Sequence, residues 1–370
     1  MSQLLDLAIT LTPPGKSKKQ SQAIASITLN FDAQGMHHSG TLLHELLTEQ
    51  ERNDLHWYLE EYGLWPFYEF AERGKRIEAL LVDVGKRLYK EVFGHASAAG
   101  IVQAWRLYPE KDITRQISII SDLPRVLSMP WELLHDEQGF LCLRTRNPIT
   151  IVRRLPKGEL AEFSTPFEPP LRILLVTARP KETGFLDPRG VARELLDEVE
   201  EQVKSGAIEL DFLRPPTLTA LRNRLKDLSR PVHILHFDGH GVFEDKVPNQ
   251  DGLHKSGGQQ GKLAFEESDG TLDLVEADQL AQVLQDSGVR LAVLDACQSA
   301  MGAADNAFSS VAARLIQGGV DTVVAMSASV LVAATTRYFE AFTVKSSRAL
   351  PHQLPRSVPG KRSTMTRVDI

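Results

Sequence analysis

From residue 171 onward, patterns of buried strands alternate with amphipathic helical stripes, and this alternation restricts the fold more than any other feature of the chain. Residues 172–177 read as a continuous apolar strand, and Val191, Leu195, Val199 and Val203 then recur at helical spacing. Leu218, Leu221, Leu225 and Leu228 form a second stripe behind Thr217, a residue suited to cap a helix. Residues 232–237 and 290–294 are further apolar strands. A helix over 310–317 leads to a strand over 321–326. Strands buried on both faces and separated by helices predict an α/β fold, with a mostly parallel sheet flanked by helices on both faces.

Two of these strands run into polar and small residues. One continues into Asp238-Gly239-His240-Gly241, the other into Asp295-Ala296-Cys297-Gln298-Ser299. Ligands of open α/β sheets bind at the carboxyl ends of strands, so a histidine and a cysteine at two such ends can form a catalytic pair. An unassisted thiol has a pKa near 8.5 and is only partly thiolate at neutral pH, so a nearby imidazole activates it and then protonates a leaving amine. Glycines beside His240 leave room for a substrate backbone. The backbone amides of Gly241 and Cys297 are candidate oxyanion donors. Plainer readings stand beside these: a cysteine at a strand end is often a small buried apolar residue, and Gly-His-Gly is often a surface turn. The pair says more than either part, since His240 precedes Cys297 by 57 positions, near the separation of about 50 known for caspase-type dyads.

The first part of the chain is mixed α+β. Residues 5–12 and 23–30 alternate like strands across a Lys-rich turn, and Thr48-Glu49-Gln50-Glu51 opens a helix with a capping box. A second helix is expected from Pro66, with Ile77, Leu80, Leu81, Val84 and Leu88 on one face. Strands are expected over 104–108 and 113–121. Residues 127–134 form an apolar plug, and Cys142 lies in a short core strand with no polar partner nearby. Residues 162–170 carry three prolines and are the best linker. Residues 244–262 read as a long exposed loop, followed by a small hairpin over 263–275. After Phe342 the pattern is lost: residues 344–370 hold six Lys or Arg, one acid and three Pro. That tail is expected to be disordered, with a functional basic arm as the other reading.

Composition excludes several classes. The 42% apolar and 24% charged content is that of a globular protein, and a net charge of −6 does not favour a nucleic-acid partner. Two cysteines cannot build a disulfide framework and suit a reducing compartment. The beginning of the chain lacks the pattern of a signal peptide, and no apolar stretch reaches the roughly 20 residues of a bilayer span. A soluble cytoplasmic protein is expected, without a membrane partner. His233, His236 and His240 lie close together, but spacings of three and four on a strand scatter them over both faces, so no metal and no cofactor is expected.

The residues 237–241 and 294–299 together resemble the CHAT domain, a branch of the caspase and separase clan. Met129-Pro130-Trp131-Glu132-Leu133-Leu134 with Gly139-Phe140-Leu141 is similar to the opening of the family's degenerate first half, and residues 310–324 to the helix and strand after the nucleophile. The resemblance spans about residues 104–342. It implies a caspase-like cysteine endopeptidase acting on a protein or peptide substrate, with His240 as general base, Cys297 as nucleophile and Gly241 at the oxyanion hole. Asp295 matches the position where relatives specific for basic residues bind a P1 Arg or Lys; capping of the strand end is the equal alternative. Asp238 is a second candidate for that pocket. Control by a regulatory protein partner is implied, with Lys246, Lys255 and Lys262 as cut points in the long loop. The implied division is 1–95 as an N-terminal α+β region, 96–165 as the degenerate first part, 166–343 as the catalytic part and 344–370 as the tail. The chain departs from the family pattern after Phe342, as a shortened or frame-shifted end would, and this supports the alternative of a catalytically silent interaction module.

Overall fold

The computed structural model describes residues 3–13, 25–31, 35–42, 47–62, 68–108, 113–127, 129–144, 149–154, 156, 170–183, 190–244, 260–285, 287–298, 307–326 and 364–368. The chain divides into two compact units, Met1–Pro156 and Lys157–Val368. The expected division after residue 95 falls inside the first unit.

In the first unit, β1 (Gln3–Thr12) pairs antiparallel with β2 (Ala25–Phe31), and β2 antiparallel with β3 (Met36–Leu42). Leu5, Leu7, Ile9 and Leu11 are buried, as are Ala25, Ile27, Leu29 and Phe31, so alternate residues of each strand share one core face. Helix α1 (Glu49–Trp57) starts at the expected capping box: Thr48 Oγ1 accepts from the Glu51 amide at 3.2 Å, and the Thr48 amide donates to Glu51 Oε2 at 2.7 Å. A π-helical turn, Tyr58–Tyr62, follows. Helix α2 (Tyr68–Phe93) buries Ile77, Val84, Leu88 and Val92 at helical spacing. Gly85 lets it approach the turn at Trp131–Leu133, since a Cβ there would lie 2.0 Å from the Leu133 carbonyl oxygen.

Residues 104–106, expected as the start of a strand, instead end helix α3 (Ala96–Arg106). Ala98, Ile101, Val102 and Trp105 are buried at spacings of three and four, and that longer period decides against the apolar run of a short window. Strand β4 (Ile113–Ile120) forms as expected and pairs parallel with β1. The expected apolar plug, residues 127–134, takes in the last residue of α4 (Pro124–Leu127) and a 3₁₀ turn at Trp131–Leu133, and the two-residue strands β5 (His135–Asp136) and β6 (Gly139–Phe140) follow it. Trp131 is fully buried and its indole donates to the Val126 carbonyl at 2.7 Å. Strand β7 (Ile149–Arg154) pairs parallel with β4. Its order in the sheet is thus β3-β2-β1-β4-β7. Cys142 packs against the core but lies in a turn, and its Sγ donates to the Glu132 carbonyl at 3.1 Å, so it does have a polar partner.

The second unit follows the expected alternation: β8 (Leu171–Thr177), α5 (Gly190–Lys204), β9 (Ile208–Phe212), α6 (Leu218–Leu225), β10 (Ile234–Glu244), β11 (Gln260–Glu266), β12 (Leu272–Glu276), α7 (Ala277–Leu284), β13 (Leu291–Gln298), α8 (Ala307–Gln317), β14 (Thr322–Met326) and β15 (Thr364–Val368). Parallel pairing gives the order β9-β8-β10-β13-β14-β15. Strand β8 is buried at six of its seven positions, the signature of a strand covered on both faces. Leu195 and Val199 of α5 pack with Ile173, Ile234, Val293 and Val324 on one face, while α8 lies against β14 and β11 and packs on α7. The antiparallel hairpin β11–β12 matches the expected one.

Two corrections concern the later chain. The tail was expected to be disordered, yet residues 364–368 form β15 in parallel register with β14; the alternation Thr364-Met365-Thr366-Arg367-Val368 suits a strand, whereas the net basic composition of the whole tail hid it. Lys262 was expected in an exposed loop but sits in β11, opposite Val242 and Glu276. Lys246 and Lys255 fall outside the described residues.

Candidate functional site

Strand β8 leads through α5 to β9 on one side, and the chain then crosses to β10 on the other. The gap between β8 and β10 is therefore the switch point of the sheet, where open α/β folds place their ligands at the strand carboxyl ends. Here β10 changes neighbours. It pairs with β8 through Asp238↔Thr177 and with β11 from Gly241↔Leu263, while β13 stays beside it from Ile234 to Gly241.

His240 and Cys297 are register partners on β10 and β13. Neighbouring strands lie about 4.8 Å apart, so the two backbone positions adjoin and share one phase of the pleat. Both residues were expected just beyond strand ends; instead each strand continues through its polar segment, since β10 and β13 stay paired through Gly241↔Gln298 and β10 gains β11 from Gly241. His240 is buried, with 5% of its surface exposed. Gly239 before it is closely enclosed: a Cβ there would lie 2.9 Å from the Phe237 ring and 3.3 Å from the Ala178 carbonyl oxygen. Gly241 stands opposite Leu263 and Gln298, with strands on both sides.

One row below, Thr177, Asp238 and Asp295 are register partners across β8, β10 and β13. Asp238 and Asp295 are both buried. Arg179 Nη2 donates to both carboxylate oxygens of Asp238, at 2.7 and 2.8 Å. No hydrogen bond to the Asp295 carboxyl forms among the described residues. Burial, and then the neighbouring charge of Asp238, push its pKa up to about 8 against the opposing pull of Arg179. Asp295 thus holds its proton at neutral pH. Arg179 lay outside the sequence reading; the only available signal was a basic residue directly after an apolar strand.

The three histidines separate differently from expectation. His236 and His240, four apart on one strand, share a phase of the pleat, because the strand period is two. Burial lowers the His236 pKa to about 4. His233 precedes the strand, and its Nδ1 accepts from the Arg172 amide at 2.9 Å; burial, then Arg172 and Arg290, hold its pKa at about 4. Among the described residues no group of three or more His, Cys, Asp or Glu could hold a metal ion, and no helix is long and apolar enough to cross a membrane.

A mostly parallel sheet flanked by helices, with a histidine on a strand that borders its switch point and a cysteine on the next strand, defines a caspase-like α/β architecture. The family model described as the CHAT domain matches residues 82–367, and the chain belongs to that family. The match runs past Phe342, where the sequence pattern departs from expectation, and takes in most of β15. No curated protein matches the chain.

Proposed function

We propose that the chain is a cysteine-type endopeptidase in which His240 and Cys297 cleave peptide bonds. The observation that carries this reading is their shared register on β10, which borders the switch point, and β13 of a CHAT-family sheet. His240 takes the thiol proton of Cys297, and the thiolate attacks the scissile carbonyl carbon. The oxyanion that forms is held by the backbone amides of Gly241 and Cys297. His240 then gives its proton to the leaving amine, and water, deprotonated by the same imidazole, hydrolyses the acyl-enzyme.

Asp295 is the specificity residue of this proposal. Burial, and then the charge of Asp238, favour its protonated carboxyl. A P1 guanidinium or ammonium adds a positive charge beside it, so binding of a basic residue releases the Asp295 proton and forms a charge-assisted hydrogen bond. A regulatory protein partner that controls access to the buried His240 completes the reading.

Hydrolysis of fluorogenic peptides with Arg, Lys, Asp or Leu at P1 tests it. Cleavage after Arg or Lys, abolished by Cys297→Ala and by His240→Ala, is expected. Cleavage after Asp or Leu keeps the pair and discards Asp295 as the specificity residue. A folded chain that cleaves none of them, with or without candidate partners, returns the silent interaction module.

A further inference from the structure

Arg179 is the first residue beyond Ala178 at the end of β8, and from there it bonds to both β10 and β11. Its Nη2 grips the Asp238 carboxylate on β10. Its Nη1 donates to the Asp238 carbonyl at 2.8 Å and to the Ala178 carbonyl at 2.9 Å. Its own amide donates to Glu266 Oε1, on β11, at 2.7 Å, and the Ala178 amide donates to the Asp238 carbonyl at 3.0 Å. The contacts converge on the residue after which β10 exchanges β8 for β11 as its neighbour.

Such a fork is a weak place in a sheet. Where β8 turns away, the β10 backbone loses one ladder before it gains the next. His240 stands in that interval, two residues beyond Asp238 and before the first β11 pairing at Gly241. A planar guanidinium suits the task, since it donates in several fixed directions, whereas an ammonium is a compact point charge without the fork. The pair is nearly buried, with 17% of the Arg179 side chain and 5% of the Asp238 side chain exposed, so solvent screens it little.

We propose that Arg179 is a positioning residue for the His240–Cys297 pair: by tying the end of β8 and strand β11 to Asp238, it fixes the segment of β10 that carries His240. Asp238 then serves this clamp and takes no part in binding a substrate cation, which leaves that role to Asp295. The proposal rests on the peptidase reading.

The test reads the thiol directly and needs no substrate. The rate of alkylation of Cys297 by iodoacetamide is followed against pH by mass spectrometry, with the Cys142 peptide as internal reference. In wild type the reaction persists well below the pKa of a free thiol, about 8.5, and His240→Ala removes that low-pH limb. Arg179→Met is expected to slow alkylation near pH 6 at least tenfold while unfolding remains cooperative, and Arg179→Lys to recover it only in part. The double variant Arg179→Met with Asp238→Asn restores the local charge balance and is expected to stay slow. A double variant with the wild-type profile would make the effect one of charge and overturn the positioning role, as would an unchanged profile in Arg179→Met. Should Arg179→Met fail to fold, the Arg179→Lys profile decides: wild-type behaviour overturns the proposal and a weakened low-pH limb supports it. A wild-type protein without a His240-dependent limb removes the peptidase reading itself, an outcome distinct from an unchanged limb in the arginine variants.

Discussion

The two units each bury an arginine against a carboxylate beside parallel strands, and they use it differently. In the first unit Arg153 is fully buried on β7. It donates to both oxygens of Glu132, including Oε2 at 2.9 Å, and to the carbonyls of Leu127 and Met129 at 2.7 and 2.8 Å. On the neighbouring strands the Asp6 carboxylate is also paired: Ser118 donates to Asp6 Oδ1 at 2.6 Å and Arg154 of β7 pairs with Asp6 Oδ2 at 3.2 Å. In the second unit Arg179 satisfies Asp238, but a second acid, Asp295, stands beside it in the same row and keeps its proton. A buried charge with all its partners is architecture. A buried acid left over in the row beside a His and a Cys is the kind of group that functional sites hold, and the proposal makes it the specificity residue.

The largest expected effect separates the two cysteines. Cys297→Ala is expected to lower peptide hydrolysis by at least about a thousandfold, as the loss of a catalytic nucleophile does. Cys142→Ala, at a thiol bonded to a backbone carbonyl in the first unit, is expected to leave the rate within about twofold. Equal losses, measured as kcat/KM on the same peptide, would erase the contrast between the units.

Next is the architectural pair. Glu132→Ala strands a buried guanidinium and is expected to cost about 3–5 kcal/mol of stability by urea unfolding, with the activity of the folded fraction kept. Loss of activity without loss of stability would give Glu132 a role in the site.

A pH effect tests the leftover acid. The pKa of Asp295 is raised in the folded chain, so between about pH 4 and pH 8 the native state holds a proton that the unfolded chain has released, and its contribution to stability falls as pH rises through that window. His233 and His236, held neutral with pKa values near 4, act in the opposite sense below about pH 6.5. The comparison is therefore between wild type and Asp295→Asn: the variant is expected to gain stability relative to wild type as pH rises from 5 to 8. For substrates with Arg at P1, KM of wild type is expected to fall over pH 6 to 8, and Asp295→Asn to lose that trend. A pH-independent stability difference would place the carboxyl in a solvated or paired setting.

The smallest effect lies in the first unit. Thr48→Ala removes one capping bond of α1 and is expected to cost about 1 kcal/mol, with no change in hydrolysis.

How far the sequence carried these conclusions depended on the period of each pattern. The second unit was legible because β8, β10 and β13 are continuous apolar runs with stripes such as Leu195 and Val199 between them, and strong periods survive tertiary context. The first unit was partly legible. Helix α3 looked like a strand in a short window, and β3, a polar segment containing His37 and His38, offers no apolar alternation. Strand β7 is a six-residue run whose Arg153 is buried only because Glu132 lies opposite it, a pairing 21 residues away that no local window contains. At the site, His240 and Cys297 stood out through their residue types, and their register follows from the parallel order of the strands. The Arg179 clamp did not, since a residue 59 positions before Asp238 becomes its partner only where β8 leaves the sheet.

The central claim is that Cys297 is a nucleophile activated by His240, and the most direct measurement is covalent trapping. The protein is incubated with a peptide acyloxymethyl ketone carrying Arg at P1, and the site of adduct formation is located by mass spectrometry. The account predicts a single adduct on Cys297, absent in His240→Ala, with Cys142 unmodified. A folded protein in which Cys297 stays unlabelled, or is labelled equally well without His240, would contradict it.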